Sequence, residues 1–335
     1  KEFADPQLLQ NLIMSVQRSQ GNRCGSVDIF TSQGITISHI IGPAVPSSSS
    51  VADPNAPDHC VMSSIHQDST FAIYFTIDDV IISNWVYFQF IVKYINEKNE
   101  KITKVFTHKI QSTESTSKII GSIDLETATV LLAKRFILQA RKASIFEVDK
   151  VITNLDKQVS KILHNFEQDE DFANYLSKLP LFLFQLRRGP LLGPILQHSD
   201  DIDYCRCLFL QAPLNTCMRF IDPPFFQIET GDIHPLPLED LALKSSSVLL
   251  LDHHTDILIW EGRNVGENRD KWISIAQSLA EEKALDRFPR PYIMLFKERS
   301  SMSRWLLSRL IPAHKDEKEQ QVLSFPEINT MSEME

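Results

Sequence analysis

Glycine is scarce in this chain. Ten of 335 residues are glycine, about 3% where ~7% is ordinary. None of the ten is followed by lysine, and no two stand one residue apart. A phosphate-binding loop and a dinucleotide fingerprint both need glycines where the backbone must approach phosphate closely. The pattern therefore argues against a kinase, a nucleotide-driven motor and a Rossmann dehydrogenase. No run approaches the ~18 consecutive apolar residues of a spanning helix. No histidine is followed by glutamate and no G-x-S-x-G occurs, so the zinc-protease helix and the nucleophile elbow are both missing. Cysteine pairs with metal-ligand spacing are missing too. Cys205 and Cys207 are one residue apart, and the others are Cys24, Cys60 and Cys217. An odd count in a chain this long points to a reducing compartment and buried free thiols.

What is present is ordinary globular material. Hydrophobic residues make up 43% and charged residues 23%, enough for two or three domains with real cores. The net charge is −9, which argues against whole-chain binding to nucleic acid by phosphate neutralisation. The first residues lack a signal peptide's apolar core. With no initiating Met, the chain reads as a piece of a longer cytosolic protein.

Three characters follow one another. Leu8, Leu9, Leu12, Ile13 and Val16 have helical spacing within 1–19. Residues 22–115 are then β-rich, with strands expected at 27–41, 71–77, 85–95 and 103–110, the last two joined by a polar turn at 96–100. Residues 46–57 form a Ser/Pro loop. Ser112–Ser117 reads as a linker. Beyond it the apolar period is helical at 125–140, 148–166, 172–186 and 202–209, with Asp124 a candidate N-cap. Residues 218–228 read as an extended strand bent at Pro223–Pro224. Residues 248–251 and 257–260 read as strands joined by a solvated turn containing His253 and His254. A helix at 271–283, a strand at 292–296 and a terminal helix at 303–310 follow, and the tail after Pro312 is polar. The expected fold class is multi-domain α+β. The expected domains are a β-sandwich region at 1–117, a helical domain at 118–217, a small α+β domain at 218–300, and a terminal segment with a flexible tail at 301–335.

The acidic runs 169–171 and 200–201 read as solvated helix flanks. The basic positions are more informative. Arg187 and Arg188 end an apolar helix before Gly189-Pro190. They are either a cationic C-terminus facing the helix dipole or a contact surface for a partner or an anionic membrane. Lys297, Arg299, Arg304, Arg309 and Lys315 form a second basic cluster. Within it Arg304 precedes Trp305-Leu306-Leu307, and is either a surface ion-pair residue or a side chain held stiffly between anchors.

Several local strings, in this order, resemble one family. They are Ile41-Gly42-Pro43, Phe71–Phe75 and Phe88-Gln89-Phe90 in the β region, and Phe182–Arg188 in the bundle. Ser245–Ser247, Leu250–Asp252 and Ile257–Gly262 follow in the third region, then Arg287–Pro291 and Ser301–Arg309. Together they resemble the C-terminal portion of the GTPase-activating inner-coat subunit of the COPII vesicle coat. The resemblance implies a β-sandwich, a helical domain and a gelsolin-like domain. It places the family's arginine finger on Arg304, and it favours the activating subunit over the sister cargo adaptor, which lacks the finger. Where the family carries a small, glycine-containing stretch before the finger, this chain has Lys297-Glu298-Arg299-Ser300.

The resemblance implies a coat subunit in ER-to-Golgi transport that activates a Sar-type small GTPase in trans and hydrolyses nothing itself. It further implies as partners the cargo adaptor, the outer-coat subunit and the ER membrane. The location implied is cytoplasmic, peripheral on ER exit sites and COPII vesicles. Candidate site residues are Arg304 as finger, with Arg187, Arg188, Lys297 and Trp305 in binding. No cofactor is expected in this segment, because the family's zinc site and trunk lie N-terminal to it. Part of the family's sandwich also comes from its extreme N-terminus, so exposed β edges are expected here. The competing reading is a non-catalytic coat scaffold or adaptor paralogue that has lost GTPase activation.

Overall fold

The computed structural model describes residues 6–19, 22–46, 58–65, 68–142, 147–165, 176–193, 199–229 and 232–312. The chain divides into two compact units, one of residues 1–192 and 196–217, the other of residues 193–195 and 218–335.

The first unit opens with helix α1 (Pro6–Ser19) and then builds β structure. Its strands are β1 (Asn22–Thr31), β2 (Ile35–Ile41), β3 (Val45–Pro46), β4 (Asp58–Ile65), β5 (Ala72–Ile77), β6 (Trp85–Ile95) and β7 (Lys101–Gln111). A five-stranded sheet runs in the order β3-β4-β1-β6-β7, and β2 pairs with β5 alone. Alternate residues point inward, as the two-residue period of a strand requires. Val27, Ile29 and Met62 pack against Ile37, Ile40 and Ile73, while Val86 and Phe88 pack with Ile35. The 96–100 turn forms as expected. Asn99 takes the left-handed conformation at φ 65°, and the Asn96 side chain accepts the Glu100 N–H at 2.8 Å.

Helices follow: α2 (Thr116–Gly121), α3 (Leu125–Lys142), α4 (Val148–Asn165), α5 (Leu179–Arg188), α6 (Ser199–Gln211) and α7 (Leu214–Ile221). Asp124 caps α3, its carboxylate accepting the Thr127 N–H at 2.7 Å. Ala133, Phe136, Ile137 and Ala140 are buried on α3, which packs against α4, α5 and α6. Two cations are buried in this bundle. Lys134 donates to the Ala212 carbonyl at 2.8 Å and Arg206 to the Leu191 carbonyl at 2.9 Å. Burial holds both below their ordinary pKa.

The second unit is a five-stranded sheet in the order β12-β11-β10-β8-β9. Its strands are β8 (Phe225–Ile228), β9 (Ile233–Leu236), β10 (Val248–Asp252), β11 (Asp256–Glu261) and β12 (Tyr292–Lys297). Helix α8 (Arg269–Ala284) covers one face, meeting Val248, Leu250, Ile257 and Ile259 through Ile273, Ala276 and Ala280. Leu249, Leu251, Leu258 and Trp260 point to the other face, which Leu306 and Leu310 cover. A sheet covered on both faces needs apolar residues in both phases, which is why these strands read as unbroken apolar runs. Gly262 is required by close approach: a Cβ there would lie 2.2 Å from the Ser245 carbonyl oxygen.

Several expectations need correction. Residues 218–228 are not one extended strand. Helix α7 runs to Ile221, and only Phe225–Ile228 is a strand, because the proline pair ends the helix rather than bending a strand. Strand β4 went unrecognised, its buried residues being only Cys60 and Met62. Helix α2 begins inside the expected linker. The terminal helix is one turn, α9 (Arg304–Leu307), after a 3₁₀ turn at Ser301–Ser303. The apolar stripe of α1 is not core, since Leu9, Leu12, Ile13 and Val16 are exposed. The edge strand β7 is mostly exposed, as expected, with Val105 and Phe106, and Phe75 and Ile77 of β5 are exposed as well. Cys60, Cys205 and Cys217 are buried, whereas Cys24 is exposed and Cys207 is partly so. The acidic run 169–171, the Ser/Pro loop from residue 47, Lys315 and the tail lie outside the described residues.

Candidate functional site

The candidate finger lies at the end of the second unit. Strand β12 pairs in parallel with β11 at the sheet edge, and the Glu298 N–H extends the ladder to the Glu261 carbonyl at 2.8 Å. A turn follows, with Ser300 N–H donating to the Lys297 carbonyl at 3.0 Å. Arg299 occupies its left-handed corner at φ 62°, a conformation that favours glycine. Glu298 locks this turn onto the domain. Its carboxylate accepts the Ser245 hydroxyl and the Arg263 N–H, each at 2.9 Å.

The next ten residues are pinned along their length. Ser303 is buried and its hydroxyl donates to the Ser300 carbonyl at 2.6 Å. Leu306 and Leu310 are wholly buried in the sheet-face core, and Trp305 packs partly against it. Beyond them, Ile311 N–H donates to the Leu238 carbonyl at 2.9 Å, and its own carbonyl accepts the Asp240 N–H at 3.0 Å. From this fixed segment Arg304 projects exposed. Among the described residues no ion pair or hydrogen bond occupies its guanidinium.

Arg309, in the same basic cluster, is spent within the fold. Its side chain is 4% exposed. It donates to Asp256 at 2.9 Å and to the Trp305 carbonyl at 2.9 Å, and lies 5.8 Å from the Trp305 ring centroid. Arg299 and Lys297 are exposed. At the far end of α5, Arg187 pairs with Asp156 at 3.1 Å, both half exposed, and Arg188 stacks on Phe184 at 5.5 Å. Arg187 and Arg188 belong to the first unit, and Lys297, Arg304 and Trp305 to the second.

The expected solvated turn at His253-His254 is instead buried, at 2% and 4% exposure. Phe220 packs on both rings, with centroids 5.3 and 5.0 Å away. Burial, with Arg287 and Arg219 nearby, lowers the His254 pKa to about 4. His253 is shifted the same way by burial and the positive field of Arg309. Asp252 and Asp256, on the two sides of this turn, pair with Arg287 and Arg309, partners 35 and 53 residues distant in sequence. No local pattern marks such pairs, so sequence reasoning missed them. Among the described residues, no group of three or more His, Cys, Asp or Glu side chains is placed to hold a metal ion.

Two stretches of the chain match family models of known proteins. The Sec23/Sec24 beta-sandwich domain matches residues 23–113, and the Sec23/Sec24 helical domain matches residues 124–219. The protein transport protein SEC23 A of Arabidopsis thaliana is 32% identical over 95% of this chain.

The chain belongs to the Sec23/Sec24 family.

SEC23 F of Arabidopsis thaliana is 22% identical over 86% of the chain. The human COPII-coat protein Sec24c shares the fold, with a TM-score of 0.76, 14% identity and 90% of this chain covered, against 43% of that protein. The chain spans 38% and 42% of the lengths of the two SEC23 relatives.

Proposed function

We propose that this chain is the C-terminal part of a COPII coat subunit in protein transport and that it activates a Sar-type small GTPase through Arg304. One observation carries the reading. Arg304 is an exposed guanidinium with no partner among the described residues, on a one-turn helix whose neighbours Ser303 and Leu306 are buried. A finger acting in trans has to enter another protein, so it cannot be occupied at home. Its mount has to be rigid, because ordering a loose segment at each encounter costs conformational entropy. In the transition state of GTP hydrolysis, negative charge grows on the transferring phosphoryl group. A planar guanidinium placed against it donates several hydrogen bonds and neutralises that charge, an effect worth roughly 10³–10⁵ in rate. The chemistry stays in the GTPase, so the subunit itself is not a hydrolase.

Arg187, Arg188 and Lys297 are proposed to face an anionic surface, that of the GTPase or of the ER membrane. Arg187 is available for this despite its contact with Asp156, because an exposed pair of this kind contributes about 0–1 kcal/mol. The cargo adaptor and outer-coat subunit are proposed as further partners, and the location as cytoplasmic, on ER exit sites and vesicles.

The turn Lys297–Ser300 supports a second reading, a scaffold that keeps coat contacts without activation, because Arg299 holds a glycine-type conformation just before the finger. GTP hydrolysis by the Sar-type GTPase, with the full-length protein and its Arg304→Ala variant, separates the two. The finger reading expects stimulation that the variant abolishes; the scaffold reading expects no stimulation from either.

A further inference from the structure

Helix α9 has four residues, Arg304–Leu307. A helix this short does not hold itself, because its nucleation cost is not recovered and nearly all its polar backbone groups are terminal. Its orientation must come from outside. The buried Leu306 and Leu310 press it onto the sheet, but apolar burial is non-directional and leaves rotation and sliding weakly restrained. The segment's ends are held by Ser303 on the Ser300 carbonyl and by Ile311 on the Leu238 carbonyl; within the helix, side-chain hydrogen bonds converge on one atom, the Trp305 carbonyl oxygen. It accepts the Arg309 Nη1–H at 2.9 Å and the Ser308 hydroxyl at 3.0 Å. The other arm of the same guanidinium reaches Asp256 at 2.9 Å, on β11 of the rigid sheet. Asp256 is itself held by the Thr255 hydroxyl at 3.1 Å, and Thr255 lies 3.2 Å from His253 Nδ1.

We propose that Arg309 is a positioning residue for Arg304: its fork ties the Trp305 carbonyl to Asp256 and so fixes the direction in which the neighbouring finger points. The proposal rests on the finger reading of Arg304. A planar guanidinium suits the task, since it presents two donors at a fixed mutual angle. A lysine keeps the charge facing Asp256 but loses that fork.

The test uses the full-length protein and single-turnover GTP hydrolysis by the Sar-type GTPase at saturating activator. Arg309→Lys is expected to slow the step by about 10²-fold, the scale of a misplacement near 1 Å. Affinity for the GTPase carrying a non-hydrolysable nucleotide should be unchanged. Asp256→Asn, which preserves shape, is the second variant and should lower the same rate without lowering affinity. In an Arg304→Ala background, Arg309→Lys should cost nothing further, because its effect passes through the side chain already removed. An unaltered rate in both single variants overturns the proposal, as does an equal loss in both backgrounds or a matching loss of affinity. If Arg304→Ala slows hydrolysis and Arg309→Lys does not, this inference alone falls. If Arg304→Ala has no effect, the finger reading falls and this inference with it.

Discussion

Arg287 grips Asp252 with both arms of its guanidinium, the Nη2 donor lying 2.7 Å from Oδ2, and both side chains are almost wholly buried. The pair fixes one side of the turn of the β10–β11 hairpin, and Arg309 with Asp256 fixes the other side. The hairpin therefore links the domain's interior to the segment that carries Arg304.

Breaking the buried pair from one side should be costly, because the buried Asp252 carboxylate loses both guanidinium hydrogen bonds and keeps only Lys283, 3.8 Å away. Arg287→Met is expected to lower stability by about 3–5 kcal/mol. Urea unfolding of the chain checks this. A loss under about 1 kcal/mol, the range of an exposed pair, would contradict the role assigned to Arg287.

The buried histidines give the second unit an acid sensitivity of definite sign. His254 titrates near 4 in the fold against 6.5 ordinarily, so the folded state prefers it neutral. Its contribution is fully present above pH 6.5 and is lost as the pH falls from 6.5 towards 4, in total about 3 kcal/mol. His254→Leu should flatten that part of the profile. Unfolding free energies measured at pH 7 and pH 5 provide the check, and an equal loss in variant and parent would refute it.

Arg299 stands at φ 62°, where a side chain is strained and glycine is not. Arg299→Gly should therefore stabilise the second unit by about 0.5–1 kcal/mol, despite the entropy glycine adds to the unfolded chain. Thermal unfolding reports the sign, and a lower midpoint for Arg299→Gly would contradict the strain.

Legibility in the sequence followed the range of the interaction. Strand β6 (Trp85–Ile95) was readable to the residue, because its apolar, β-branched and aromatic run and the polar turn that follows it are local. Helix α3 was readable through its stripe and the Asp124 cap. The unbroken runs 248–251 and 257–260 announced strands but not that both faces are covered, which depends on α8 and on Leu306 and Leu310. The Asp-His-His-Thr-Asp turn looked solvated because it is polar. Its burial comes from Phe220, Arg287 and Arg309, all distant in sequence. Arg304 and Arg309 look alike in the sequence. Only the fold separates them, one exposed and the other enclosed against Asp256.

The basic end of α5 carries a prediction about recruitment. Reversing the charge of Arg187 and Arg188 should weaken flotation of the assembled coat on vesicles containing anionic lipid. Each cation near such a surface contributes about 1 kcal/mol, and the effect should fade as salt rises. Unaltered flotation at low salt would remove these residues from the proposed contact.

The most direct test of the account is the single-turnover rate of GTP hydrolysis by the Sar-type GTPase with full-length activator carrying Arg304→Ala. The account predicts a fall of about 10³-fold or more, with Arg304→Lys failing to restore it, while coat assembly on a non-hydrolysable nucleotide proceeds as in the parent. A stimulated rate equal to the parent's would contradict it.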